Sequence, residues 1–236
     1  MFEVRNLALG YRGKSILRDV SFLVSPGEIV SVVGANGVGK TTLMRSLATL
    51  LVPEAGSILL DGCDALADPL RYRRQIGYLS ERPALYEDMT VKEYLTYRAY
   101  LKGELSKRVR RRVTEAAEMC GLSPLLRHAI RTLSFGLKKR VALADAILLR
   151  PRVLLLDDFL SGLDVEMRES SAAILSEAAA FSSVIVTGHE LSDLVAWTTR
   201  FLVLRDGTLA ETLSAAGGTK EDLLARLRDA WKGGVS

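Results

Sequence analysis

The sequence predicts an α/β fold: a mostly parallel sheet assembled from two stretches of chain, with an antiparallel β subdomain at the N-terminus and an inserted α-helical subdomain. Three observations predict it. Ile29 to Val33, Val153 to Leu156 and Ser183 to Thr187 are short aliphatic runs of the kind found in strands covered on both faces. The first two lead into helical apolar spacing, with Leu43, Leu47, Leu50 and Leu51 within Thr41 to Leu51, and a second helix from Glu166 to about Ala180. From Val91 to about Leu148 the pattern is helical with no strand, which marks the insert.

The remaining elements follow in order. Phe2 to Leu9 and Ile16 to Val24 alternate with period two, and Pro26-Gly27-Glu28 turns the chain into the first buried run. Ser57 to Asp61, closed by Asp61-Gly62, and Ile76 to Leu79 are two further short strands. After the last aliphatic run come a helical segment from Leu191 to about Thr198 and strands near Phe201 to Leu204 and Thr208 to Glu211. Past Gly217-Gly218, Lys220 to Trp231 is an amphipathic helix carrying Leu223, Leu224 and Leu227 on one face. The expected organisation is one domain over 1–236: a core of 1–80 and 151–215, a helical subdomain of about 85–150, and a terminal helix in 219–236.

Composition narrows the function classes. The 236 residues carry a net charge of +4, but the charges of both signs are interspersed, so no nucleic-acid partner is expected. The clusters Arg71, Arg73, Arg74 and Lys107, Arg108, Arg110, Arg111, Arg112 fit solvated helix faces. Cys63 and Cys120 lack metal spacing and suggest neither a disulfide framework nor a zinc site. Met1 to Asn6 holds Glu3 and Arg5 without an apolar core, so no secretory signal is expected there. No run of about 18 apolar residues occurs, so any membrane span would belong to another chain.

The chemistry is concentrated in Gly34-Ala35-Asn36-Gly37-Val38-Gly39-Lys40-Thr41, which satisfies the P-loop pattern between a strand and a helix. Backbone N–H groups and the helix N-terminus cradle phosphates, Lys40 reaches the β- and γ-phosphates, and Thr41, followed by Thr42, binds Mg²⁺. A second element should be an acid at the carboxyl end of a buried strand, and Val153-Leu154-Leu155-Leu156-Asp157-Asp158 supplies it. Asp157 is the Mg²⁺ ligand and Asp158 the group that orients or deprotonates the attacking water.

With these residues in place, Thr132-Leu133-Ser134-Phe135-Gly136-Leu137-Lys138-Lys139-Arg140 resembles the signature region of ABC transporter ATP-binding subunits, and the resemblance extends over nearly the whole chain. It implies a P-loop NTPase core, ATP hydrolysis, and a head-to-tail homodimer or heterodimer. In such a dimer Ser134, Phe135 and Gly136 would meet ATP held on the partner's P-loop. A serine before a helix is also an ordinary N-cap. The resemblance further implies that Tyr11 stacks on adenine, that Ser161-Gly162-Leu163-Asp164 couples the two sites, and that His189 touches the γ-phosphate. His128 has no such counterpart and is expected at the surface. Ile76 to Leu95 most resembles exporter and ABC-2 subunits, which drive a separate membrane permease from the cytoplasmic face of the membrane.

Three departures from the family pattern stand out. The usual catalytic glutamate is Asp158, the usual glutamine before the helical subdomain is Glu81, and a signature glycine and glutamine are Phe135 and Leu137. Asp158 is shorter than glutamate by about 1.5 Å of reach, which predicts slow turnover with ATP binding intact. Glu81 retains the capacity to hold Mg²⁺ through water but repels a γ-phosphate. The alternatives are a hydrolysis-deficient regulatory partner in a heterodimer and a soluble ABC ATPase outside transport. The latter would call for tandem ATPase halves or a long coiled coil, and neither is present.

Overall fold

A computed structural model describes residues 1–11, 13–163, 165–217 and 219–232. In chain order the strands and helices are β1 (Phe2–Tyr11), β2 (Lys14–Val24), β3 (Ile29–Val33), α1 (Lys40–Leu47), β4 (Ala55–Leu60), β5 (Cys63–Asp64), α2 (Pro69–Arg73) and β6 (Ile76–Leu79). Then come α3 (Val91–Leu101), α4 (Ser106–Met119), α5 (Phe135–Ile147), β7 (Val153–Leu156), α6 (Val165–Ala179), β8 (Ser183–Thr187), α7 (Leu191–Leu194), β9 (Arg200–Arg205), β10 (Thr208–Ser214) and α8 (Lys220–Lys232).

Two sheets carry the architecture. The first is antiparallel, in the order β2-β1-β4-β5; the second has six strands in the order β10-β9-β3-β8-β7-β6. Within the second, β9, β3, β8, β7 and β6 run parallel and only β10 is antiparallel. β3, β7 and β8 are buried along their whole length, which is why their sequences are continuous aliphatic runs rather than alternating ones. One core cluster joins a face of this sheet to α5, α6 and the helices of the insert; the other joins the opposite face to α1 and the antiparallel sheet.

α1 is shorter than its apolar spacing predicts, ending at Leu47 instead of Leu51. Thr49 adopts a left-handed φ of 56°, and the N–H groups of both Leu50 and Leu51 turn back onto the Arg45 carbonyl. Leu50 is left 57% exposed, so this leucine was not marking a buried face. β5 and α2 were not foreseen. In α2 the Asp68 carboxylate accepts from the Arg71 N–H, and Arg73 donates to the Thr49 carbonyl and hydroxyl, so one of the expected surface arginines ties α2 to the end of α1.

The insert is fastened to the core at one end. α5 lies against β6 so closely that a Cβ on Gly77 would stand 2.2 Å from the Ala146 carbonyl oxygen. Inside the insert, Asp145 of α5 is buried between Arg98 of α3 and Lys102 just past its end, with Arg98 Nε 2.9 Å from Oδ2 and Lys102 Nζ 2.8 Å from Oδ1. Removing the acid strands two partly buried cations. Asp145→Ala is therefore expected to lower unfolding free energy by about 3 kcal/mol, read from the denaturant midpoint at constant slope.

Candidate active site

The carboxyl ends of β3, β8 and β7 stand side by side, and the segments leaving them converge on one open cleft of about 760 Å³. An α/β sheet places its ligand there because loops diverge from that edge. The P-loop leaves β3, Asp157 and Asp158 leave β7, and His189 follows β8; Glu81, two residues past the end of β6, completes the wall. Ala35 to Thr42 line the cleft, and Gly34 anchors it from behind.

Lys40 is only 8% exposed, and its Nζ donates to the carbonyls of Gly34 at 2.7 Å and Ala35 at 3.1 Å. Burial pulls its pKa below that of an ordinary lysine, while Asp158 and Asp157 pull it back up. Gly39 caps α1 without a side chain, so the helix presents its first free N–H groups toward the cleft.

Asp157 is 1% exposed, and its Oδ1 accepts from the hydroxyls of Thr187 at 2.8 Å and Thr41 at 3.2 Å. Its Oδ2 is buried and has no hydrogen-bond partner among the described residues. Burial holds this carboxyl above the usual range, against the two hydroxyls. A half-satisfied carboxylate beside a threonine hydroxyl has the donor chemistry a hard divalent cation takes.

Asp158 has a left-handed φ of 48°, and its N–H donates to Thr187 Oγ1 at 2.8 Å. Its carboxylate Oδ1 stands 3.9 Å from His189 Nε2, outside hydrogen-bond range. Glu81 is half exposed, its nearest cation being Arg82 at 3.8 Å.

The signature residues lie elsewhere. Ser134 is exposed and caps α5, accepting from the Leu137 N–H at 3.3 Å; Phe135 is 58% exposed, and neither these two nor Gly136 line this chain's cleft. Asp164 and the side chain of Tyr11 lie outside the described residues, whereas the backbone of Tyr11 closes β1 opposite Lys14. His128 is exposed, as expected.

Sequence reasoning missed Thr187, whose hydroxyl bridges Asp157 and the Asp158 amide; a threonine ending an aliphatic run was the available signal. It also missed Trp231 and the Arg205-Asp206-Gly207 turn, which line the cleft from a distant part of the chain.

Comparisons with known proteins agree with this geometry. Residues 17–161 match the family model described as ABC transporter. The chain is 33% identical over 210 residues to the uncharacterized ABC transporter ATP-binding protein YxlF of Bacillus subtilis, covering 89% of this chain and 70% of that one. It is 31% identical over 214 residues to the spermidine/putrescine import ATP-binding protein PotA of Haemophilus influenzae, covering 89% of this chain and 57% of PotA. Among solved structures, the dimeric bacterial ABC transporter cassette MJ0796 superposes with a TM-score of 0.81 at 25% identity, over 92% of this chain and 100% of that one. No described helix is long and apolar enough to cross a membrane. The chain belongs to the ABC transporter family, as an ATP-binding domain with the ABC ATPase fold.

Proposed function

We propose that this chain is the ATP-hydrolysing motor of a membrane transporter, dimerising around ATP to drive a separate permease from the cytoplasmic face of the membrane. The observation that carries this reading is Asp157 Oδ2, buried without a hydrogen-bond partner among the described residues, on a carboxylate that Thr41 donates to and that lines the same cleft as Lys40. Thr41 and Asp157 would hold Mg²⁺, with Glu81 reaching it through water; the ion would neutralise charge on the transferring phosphates. Lys40 and the α1 N-terminus bind the phosphate chain, Asp158 orients or takes the proton of the attacking water, and His189 touches the γ-phosphate. Tyr11 stacks on adenine, and Asp164 belongs to the loop that couples the two sites.

The exposed Ser134 and Phe135 at the start of α5, followed by the buried Gly136, support a head-to-tail dimer, because none of the three lines the chain's own cleft and a helix N-terminus is an anion site. MJ0796, described as dimeric, has the same fold. Asp158→Asn with ATP is expected to run as a dimer in light scattering and as a monomer or weak dimer without it. A monomer at high protein and nucleotide concentration would count against this reading.

Resemblance of residues 76–95 supports an exporter or ABC-2 system. The similarity to PotA, an import protein by name, supports the opposite direction, and the permease that co-purifies with the chain decides between them.

A further inference from the structure

Lys139, the middle residue of Lys138-Lys139-Arg140, is only 2% exposed. From the second turn of α5 its Nζ donates to three main-chain carbonyls of the loop leaving β7: Asp158 at 3.2 Å, Phe159 at 3.2 Å, and Ser161. The same ammonium lies 5.3 Å from the centre of the Phe135 ring. That ring in turn covers Gly162, where a Cβ would stand 2.7 Å from Phe135 Cε1 and where φ is 73°. Lys139 and Phe135 thus hold residues 158–162 against the start of α5 from within one chain.

Burying an ammonium is costly, and a methylene stem with an apolar end would fill the same space without that cost. What the charge adds is convergence: carbonyls of three residues turn toward one point instead of toward solvent. The two peptide groups flanking Asp158 are then both fixed, its N–H by Thr187 and its carbonyl by Lys139. A left-handed aspartate persists when its surroundings over-determine it, and these are the surroundings. The carboxylates whose charges face the ammonium are Asp158 and Glu81, both on the cleft wall.

We propose that Lys139 is a positioning residue for hydrolysis: by gathering the carbonyls of the 158–161 loop onto the signature helix, it sets where the Asp158 carboxylate points and ties that acid to the Ser134–Gly136 edge. This rests on the reading of Asp158 as the group that orients water. Lys139 does not itself line the cleft.

The test compares wild type, Lys139→Met, Lys139→Arg and Asp158→Asn in steady-state phosphate release, using the whole chain in the assembly that supports wild-type turnover. Nucleotide affinity is titrated separately. Lys139→Met is expected to lower kcat about tenfold or more with KM and ATP affinity within about twofold, and Lys139→Arg to recover most of the loss. Hydrogen exchange should quicken at residues 158–163 in Lys139→Met and stay unchanged in the P-loop. Should Lys139→Met fail to fold, Lys139→Gln, which keeps one amide donor, is scored by the same criteria. Lys139→Met at wild-type rate while Asp158→Asn is slow overturns the proposal alone. A parallel loss of ATP affinity makes Lys139 merely structural and also overturns it. Asp158→Asn at wild-type rate overturns the reading of Asp158, and this proposal with it.

Discussion

Lys40→Ala is expected to weaken ATP binding by about a hundredfold or more while leaving the fold intact. The ammonium is buried at the mouth of α1 and satisfies the carbonyls of Gly34 and Ala35, so the substitution removes the cation aimed at the phosphates and leaves two acceptors facing the cleft. Truncating one partner of a desolvated charge pair costs about 2 to 5 kcal/mol, and about 1.4 kcal/mol is a factor of ten in affinity. Alanine is a good helix former at the first position, so the melting temperature should move little. Isothermal calorimetry with ATP checks it, and unchanged affinity would remove the P-loop assignment.

Asp158 carries the second large effect. Asp158→Asn is expected to cut turnover about a hundredfold, because it removes the carboxylate proposed to orient the attacking water or take its proton. Asp158→Glu is expected to raise turnover severalfold. The added methylene gives about 1.5 Å of reach, and the present carboxylate stops 3.9 Å from His189, so lengthening it closes a gap. A left-handed backbone opposes this, since aspartate tolerates that region better than longer acids do. The Thr187 and Lys139 anchors should turn that strain into a lower melting temperature and not into a displaced carboxylate. Steady-state phosphate release decides. A wild type equal to Asp158→Asn, with no gain in Asp158→Glu, would move the chain to the regulatory, hydrolysis-deficient reading. A wild type faster than Asp158→Glu would show a loop built for the shorter acid.

The parts of the site legible in sequence are those fixed by local spacing. The P-loop and Asp157-Asp158 lie within a few residues of the strands that aim them, so periodicity and residue type locate them together. Long-range contacts were not legible. Lys139 lies between two other cations, so nothing local marks it as buried, and only the packing of α5 beneath the 158–162 loop turns it inward. Trp231 lines the cleft from α8, far along the chain from the P-loop, and no short-range pattern encodes that. The end of α1 was misread because leucine at helical spacing signals burial, yet Leu50 and Leu51 follow a left-handed turn at Thr49. The extent of the antiparallel sheet was also understated: β1 runs to Tyr11 and β2 begins at Lys14, since hairpin pairing continues past the alternating residues.

The contact between Gly77 and Ala146 bears on how the insert transmits force. Because α5 and β6 touch backbone to backbone, the C-terminal arm of the insert is welded to the sheet edge and has no clearance for a side chain, let alone a swing. Any swing of the insert would have to be taken up at the other attachment, the stretch between Leu79 and Val91 that holds Glu81. On that geometry a load applied to α3 or α4 from outside is expected to reach the wall of the cleft through Glu81.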